Sequence, residues 1–209
     1  MRKNLTRSSL LLVVGLLVCA TASSADSPPI DRNAFAADMR KLWVDHVTWT
    51  RLYVVSAVAG LPDKDATAQR LLQNQTDLGN AIKPFYGDAA GDKLTALLRD
   101  HITIAVELVD AAKAGDKAKQ DAANARWLAN ADEIATFLNG ANAKNWPLAD
   151  AKKMMRDHLE LTTQEVVAQL GKDWPGSIAA YDKVLEQALH MADMLSAGVT
   201  AQFPNKFKA

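Results

Sequence analysis

The sequence predicts an all-α protein, an up-down bundle of about six helices arranged as three repeated helical hairpins. Three observations predict this fold. Apolar residues recur at helical spacing along the chain after residue 32, and no stretch alternates as a strand does. Matched positions return with a period of about 56 residues. The predicted connections are short, which favours antiparallel neighbours.

The residues between the apolar segments mark the helix ends. Gly60, Gly115 and Gly171 occupy one place in each repeat, where a helix C-terminus needs a residue that tolerates positive φ. Prolines lie near several other boundaries, at stops or in first turns. The predicted helices span residues 33–59, 65–83, 92–114, 118–139, 148–170 and 176–202.

The chain is expected to begin with an export signal. Basic residues near the start precede an apolar run over residues 10–19, which is too short for an ordinary membrane span, and small residues follow it. A flexible leader and a single helical domain come next. The predicted segments are a signal peptide over 1–25, a leader over 26–32 and a domain over 33–205, with repeats at 33–88, 89–144 and 145–205.

Export would leave a secreted or periplasmic protein without stable membrane insertion. Acylation of Cys19 as a lipoprotein is disfavoured, because Val18 and not a small residue precedes it. The signal holds three of the 24 basic side chains and none of the 24 acidic ones, so the mature net charge is −3. With no basic tract, nucleic acid is not expected as a partner. The mature chain would also lack cysteine and hence disulfides.

The chain's four histidines fall at matched places in the repeat. The first column, spaced by 55 and 57 residues, consists of His46, His101 and His158. The second column, spaced by 56 and 57 residues, consists of Asp77, Glu133 and His190. Apolar residues flank the first column at helical spacing, so these three histidines are predicted to face the core. The second column lies in a more polar stripe, which could equally face solvent.

A shared interior layer would bring the two columns together. Residues equidistant from the turn of an antiparallel hairpin lie level, and each histidine of the first column is level with its partner in the second. Four imidazoles and two carboxylates in one layer suit zinc or a transition metal. We therefore predict a mononuclear or dinuclear site for Fe, Mn, Zn or Cu, with the ligands His46, Asp77, His101, Glu133, His158 and His190.

This site would make the protein a metal-binding bundle for storage, sensing or dioxygen binding. The pattern leaves alternatives open. The polar layer could fix the register of a metal-free structural or partner-binding bundle whose protein partner is unknown. It could also line a small-ligand or proton-handling pocket without metal. A third class is an enzyme that uses Glu133 or Asp77 with a histidine as acid and base. No known catalytic spacing occurs, so no catalytic residue is assigned.

Two segments, residues 42–51 and 74–87, carry a resemblance to a known group. They read LWVDHVTWTR and NQTDLGNAIKPFYG, and they resemble a family of small uncharacterised bacterial helical proteins. The likeness covers nearly the whole mature chain. It implies no established activity. Some members carry a glycosyltransferase label, but no nucleotide-sugar motif supports that label here.

The predicted site is also loosely similar to hemerythrin-like and ferritin-like metal bundles. Those proteins hold metal pairs with His, Glu and Asp from several helices. Ferritin-like sites use Glu-x-x-His, whereas Glu186 and His190 are one residue further apart. Hemerythrin-like sites place His or Glu four residues after a histidine, whereas this chain has Thr50, Ala105, Thr162 and Met194. The similarity is therefore one of site chemistry.

Overall fold

The computed structural model describes residues 28–208, so the predicted signal peptide lies outside the described residues. The predicted all-α up-down bundle is confirmed, and each helix lies close to its predicted position. A short 3-10 helix, Pro204–Lys206, follows the last α-helix. The helices are α1 (Arg32–Ala59), α2 (Lys64–Tyr86), α3 (Asp88–Ala114), α4 (Lys117–Asn142), α5 (Leu148–Leu170) and α6 (Trp174–Gln202).

The six helices form a closed ring. Each packs against the next along the chain, and α6 returns to pack against α1. Helix α1 also contacts α3 and α5 in the interior, so side chains of the three odd-numbered helices meet there. Among residues 28–208, no helix combines the length and the apolar character that a bilayer span requires.

The two ends of the described chain meet beside the bundle. Ile30 forms a parallel bridge with Phe207: its N–H donates to the Lys206 carbonyl, and its carbonyl accepts from the Lys208 N–H, both at 2.8 Å. The Asp31 carboxylate caps α1 by accepting from the N–H of the second and third residues that follow it. The described part of the predicted flexible leader is therefore held against the C-terminal segment.

Two of the three glycines predicted at helix ends behave as expected. Gly60 and Gly115 both have φ of 70°, the left-handed conformation in which glycine costs least. The prediction is wrong for Gly171, which has φ of −74°. The left-handed position falls instead on Lys172, with φ of 59°. The turn between α5 and α6 is therefore displaced by one residue from the corresponding turns.

The boundary between α2 and α3 also differs from the prediction. Helix α2 runs past Pro84 to Tyr86, and α3 begins at Asp88, so Gly87 alone separates them. The two helices approach closely at Gly79 and Gly91. A Cβ atom at either glycine would lie 2.6 Å from the carbonyl oxygen of the other. This contact requires glycine on both helices, because a Cβ atom does not fit at that distance.

A buried ion pair joins α1, α5 and α6. Arg51 Nη1 lies 2.7 Å from Glu165 Oε1 and 3.3 Å from both the carbonyl and the hydroxyl of Ser177. The guanidinium also lies 5.0 Å from the ring centroid of Tyr181. Glu165 is 1% exposed, and burial raises its pKa while Arg51 lowers it. The pair therefore links the first helix to the last hairpin inside a region of low water access.

Candidate functional site

Three histidines lie together in the interior of the ring. His46, His101 and His158 are 3%, 3% and 4% exposed, and each comes from a different odd-numbered helix. The ring centroids of His46 and His158 are 5.7 Å apart. His101 packs against Trp127, with ring centroids 5.2 Å apart. We call these three residues the histidine layer; the prediction that they face the core is confirmed.

Amide side chains of the partner helices hold two of the rings in the same way. His101 Nδ1 donates to Asn130 Oδ1 at 2.8 Å, and Asn130 Nδ2 donates to the Leu97 carbonyl at 3.0 Å. His158 Nδ1 donates to Gln187 Oε1 at 3.0 Å, and Gln187 donates to a carbonyl one turn before His158. Each amide thus holds both a ring and the backbone behind it, which fixes the register of the hairpin.

The first hairpin varies this arrangement. Asn74 Nδ2 donates to the Leu42 carbonyl at 3.0 Å, which matches the other two hairpins. Gln75 Nε2 donates to the Leu71 carbonyl at 2.7 Å and lies 3.3 Å from His46 Nδ1. Gln75 Nε2 also lies 3.2 Å from Asn74 Oδ1, so its two protons serve three neighbours and this contact does not fix the tautomer of His46.

The interior favours neutral imidazoles. Burial and, to a smaller extent, the neighbouring His158 lower the pKa of His101 to about 3, against an opposite effect of Asn130. Burial and the two other rings hold the pKa of His46 well below its usual range. Burial also lowers the pKa of His158, against a smaller opposite effect of Gln187. A proton on any one ring would be desolvated, and on His46 or His101 it would also be repelled by a second proton on a neighbouring ring.

The second column does not join this layer. Glu133 and His190 are exposed on the outer surface. The Asp77 side chain is 36% exposed, accepts from Gln73 Nε2 at 3.0 Å and lies 4.0 Å from Arg70. The expected shared layer of six side chains is therefore corrected: the structure brings three together and leaves three outside. Because neither Asp77 nor Glu133 faces a buried histidine, the predicted acid–base pairing is not formed either.

The prediction gave the second column nearly the correct height along the partner helices but the wrong rotation about the helix axis. Asn74, Asn130 and Gln187 each lie three residues before a member of the second column, which corresponds to about 60° around a helix. That rotation separates the inner face from the outer one. The positions of the turns could have identified these amide residues as the inner partners of the histidines. The midpoint of His46 and Asn74 is residue 60, and that of His101 and Asn130 lies beside residue 115, so both fall at the glycine turns.

Within residues 28–208, no three His, Cys, Asp or Glu side chains are grouped so that they could hold a metal ion. No family model, curated protein or solved structure matches this chain. The resemblance to a family of small bacterial helical proteins therefore stays a prediction.

An apolar chamber of about 220 Å³ lies between the histidine layer and the turns that end α1, α3 and α5. Its lining includes the residues four and eight positions after each buried histidine, which are Thr50, Ala105, Thr162, Val54, Val109 and Val166. A smaller cavity of about 40 Å³ lies on the other side of the layer. Helices α4 and α5 contact each other least among sequential neighbours, and exposed Asn124 and Thr163 line the chamber between them.

Replacement of Asn130 tests which column supports the histidines. Asn130→Ala removes the acceptor of the His101 ring and the donor to the Leu97 carbonyl, both of them buried. We expect a loss of about 2–4 kcal/mol in the free energy of unfolding, measured by urea denaturation. Glu133→Ala, one turn along the same helix but exposed, is the control and should change stability little. Equal losses in the two variants would contradict this assignment.

Proposed function

We propose that this protein is a metal-free binding protein that takes a small molecule into the chamber beside the histidine layer. The observation that carries the proposal is the chamber itself, about 220 Å³ of apolar space inside the ring. Natural cores contain few voids larger than a water molecule. The chamber is lined mostly by apolar side chains, so water inside it finds few hydrogen-bond partners, whereas an apolar ligand would displace that water and pack against the walls.

The histidine layer supports the proposal as the floor of the chamber. Its rings are neutral, and the amides of the partner helices hold His101 and His158 in place. The layer therefore provides a rigid base with no net charge. The same contacts set the register of the hairpins, so the structural role foreseen for the polar layer and the binding role of the chamber are compatible. Their recurrence in the second and third hairpins supports the internal repeat.

Binding of small apolar aromatics tests the proposal. We expect toluene and ethylbenzene to bind the wild-type protein, as measured by a rise in melting temperature with ligand concentration and by calorimetry. Ala105→Phe places a ring in the chamber and should abolish binding while the protein remains folded. Ala129→Phe, on the exposed face of α4, is the matched control and should bind as the wild type does. Absence of binding to the wild type at millimolar probe concentrations would overturn the proposal.

Metal binding by the histidine layer is a second candidate, favoured by one observation. Histidines that ligate metals donate their second ring N–H to a carbonyl or carboxylate oxygen. His101 and His158 make this kind of contact through Nδ1, which leaves Nε2 as a free acceptor. To complete a site, each ring would have to present a nitrogen without a proton, and the three rings would have to come closer. One of Fe, Mn, Zn or Cu would then be held by nitrogen ligands without the second column.

Metal analysis of protein purified without an affinity tag tests this candidate. Stoichiometric metal that disappears in His101→Ala would support it, and so would a melting temperature lowered by a chelator. Sub-stoichiometric metal that is unchanged in His101→Ala would contradict it. Export remains part of the proposal through the segment predicted over residues 1–25. N-terminal sequencing of the mature protein would show whether the chain is cleaved before Asp26.

A further inference from the structure

We infer that the surface groove between α5 and α6 binds monovalent copper, Cu(I), through Met154, His190 and Met194. These three side chains line the groove on the third hairpin, and Met191, which is 2% exposed, lies at its base. The groove shares no lining residue with the chamber and contains none of the three buried histidines. The inference therefore adds a site to the proposed function and does not rest on it.

The third hairpin differs from the other two at four matched positions of the repeat. These positions hold Met154, His190, Met191 and Met194, so each carries a thioether or an imidazole. The other hairpins have aliphatic, aromatic or acidic residues there, which are Leu42, Asp77, Leu78 and Ala81 in the first and Leu97, Glu133, Ile134 and Phe137 in the second. Three of the six methionines of the chain thus stand together at positions where its own repeats have none.

The surroundings of these methionines differ from those of a core. Met154 and Met194 are only half-buried, and His190 is exposed. Charged side chains of both signs also line the groove. Filling an apolar gap requires only volume, which leucine, isoleucine and phenylalanine supply at matched positions of the other hairpins. A thioether adds a soft sulfur ligand that those side chains lack.

The helix geometry brings the three ligands to one part of the groove. His190 and Met194 are one turn apart on α6, a spacing that places their Cβ atoms about 5–6 Å apart on one face. Met154 lies across the groove on α5, where its carbonyl accepts from Gln187 Nε2 at 3.2 Å. Gln187 lies three residues before His190, which corresponds to about 4.5 Å along the helix. Methionine has three rotatable side-chain bonds, which allow the two sulfur atoms to approach the imidazole.

This ligand set selects Cu(I) over divalent metals. Thioether sulfur is a soft ligand that suits Cu(I), and imidazole also binds copper. Zinc prefers imidazole, thiolate or carboxylate ligands, and no three such side chains are grouped for a metal among the described residues. Three carboxylates and two ammonium groups line the groove, so its net charge does not oppose a cation.

A competition with bicinchoninate tests whether the protein binds Cu(I). Bicinchoninate forms a coloured complex with Cu(I), and ascorbate keeps the metal reduced, so a loss of colour reports transfer to the protein. We expect the full-length protein, purified without an affinity tag, to take up one Cu(I) ion per chain. Zn²⁺ should not compete for the site, because thioethers are not among the ligands that zinc prefers.

Three substitutions test the assigned ligands. Met154→Leu, Met194→Leu and His190→Gln should each weaken Cu(I) binding by about tenfold or more, since even a residue behind a metal ligand contributes about that much. Leucine has nearly the volume of methionine, so the two methionine variants should remain folded. Met155→Leu is the matched control and should bind as the wild type does, because Met155 is 4% exposed and does not line the groove.

Silver provides a readout at the sulfur atoms themselves. Ag(I) has the same charge and the same soft character as Cu(I), and it needs no reductant. With equimolar Ag(I), the methyl resonances of Met154 and Met194 should shift in ¹H–¹³C spectra, and that of Met155 should not. Methionines that only fill space would leave all these resonances unchanged.

The outcomes separate this groove from the other two sites. Cu(I) affinity should be unchanged in His101→Gln, which alters the histidine layer, and in Ala105→Phe, which fills the chamber. Affinity that falls in His101→Gln but not in Met194→Leu would overturn the inference and favour copper in the histidine layer. Equal affinity in the wild type and all three groove variants, or no uptake of Cu(I) with unshifted methyl resonances, would also overturn it and leave the chamber proposal intact.

Discussion

Lowering the pH from 7 to 5 is expected to remove about 4–6 kcal/mol from the free energy of unfolding. Three buried imidazoles are neutral in the folded protein, with pKa values that burial places below the ordinary value of 6.5. In the unfolded chain the same groups take up protons as the pH falls through 6.5. The unfolded state then binds up to three more protons, which corresponds to a slope of about 4 kcal/mol per pH unit.

Acid destabilises the fold because the pKa values of these histidines are lower in the folded protein than in the unfolded chain. Folding is not penalised by the histidines above pH 6.5, and the penalty grows as the pH falls toward their folded-state pKa values, about 3 for His101. The raised pKa of Glu165 acts in the opposite direction, but it is a single group. A domain with about 5–15 kcal/mol of stability loses a large share of it in this window.

Urea unfolding at a series of pH values measures the effect. The slope of unfolding free energy against pH gives the number of protons taken up, and His101→Gln should reduce it by one. Added salt is the control, because screening weakens exposed charge pairs but hardly affects the cost of charging a buried ring. A slope below one proton, or one abolished by 0.5 M salt, would show that the histidine layer does not govern the acid response.

Arg51→Met is expected to destabilise the protein by about 3–5 kcal/mol. The change removes the cation that lies 2.7 Å from Glu165, a carboxylate that is 1% exposed. The carboxylate would then be buried without a partner charge, which is costly unless it takes up a proton. The pKa of Glu165 should rise further in this variant. Part of the stability loss would therefore be recovered as the pH falls through this raised pKa.

The double variant Arg51→Met/Glu165→Leu separates the pair from its packing. Since hydrophobic residues of similar volume often replace a buried ion pair without loss, the double variant should be more stable than Arg51→Met alone. Arg126→Met breaks an ion pair with Glu107 on the surface, where both side chains are about half exposed, and should have little effect. Equal losses from Arg51→Met and Arg126→Met, measured by urea unfolding, would contradict this account.

Local periodicity was sufficient to predict the helices and the buried histidines. Apolar neighbours at helical spacing identify the inner face of α1, α3 and α5, and that inference needs no knowledge of the partner helix. The helix ends followed from glycine at Gly60 and Gly115. The same logic failed at Gly171, because a lysine took the left-handed position there.

Features that depend on two helices at once were not predictable in this way. The turn constrained the height of Glu133 along its helix, but it did not constrain the direction in which the side chain points. A rotation of about 60° about the helix axis decides whether a side chain at this height faces the core or the solvent. Likewise, Gly79 and Gly91 are 12 residues apart in sequence, and their contact depends on the crossing of α2 and α3. The chamber results from imperfect filling among several helices, which no single stretch of sequence reveals.

The bridge between Ile30 and Phe207 brings the two ends of the described chain together and closes the ring of helices. Since both termini of the described domain lie side by side, a short linker could join them, and new termini could be opened at an exposed turn such as Lys172. The bundle is thus a circular arrangement of three hairpins, and circularly permuted chains are a route to study how each hairpin contributes to assembly.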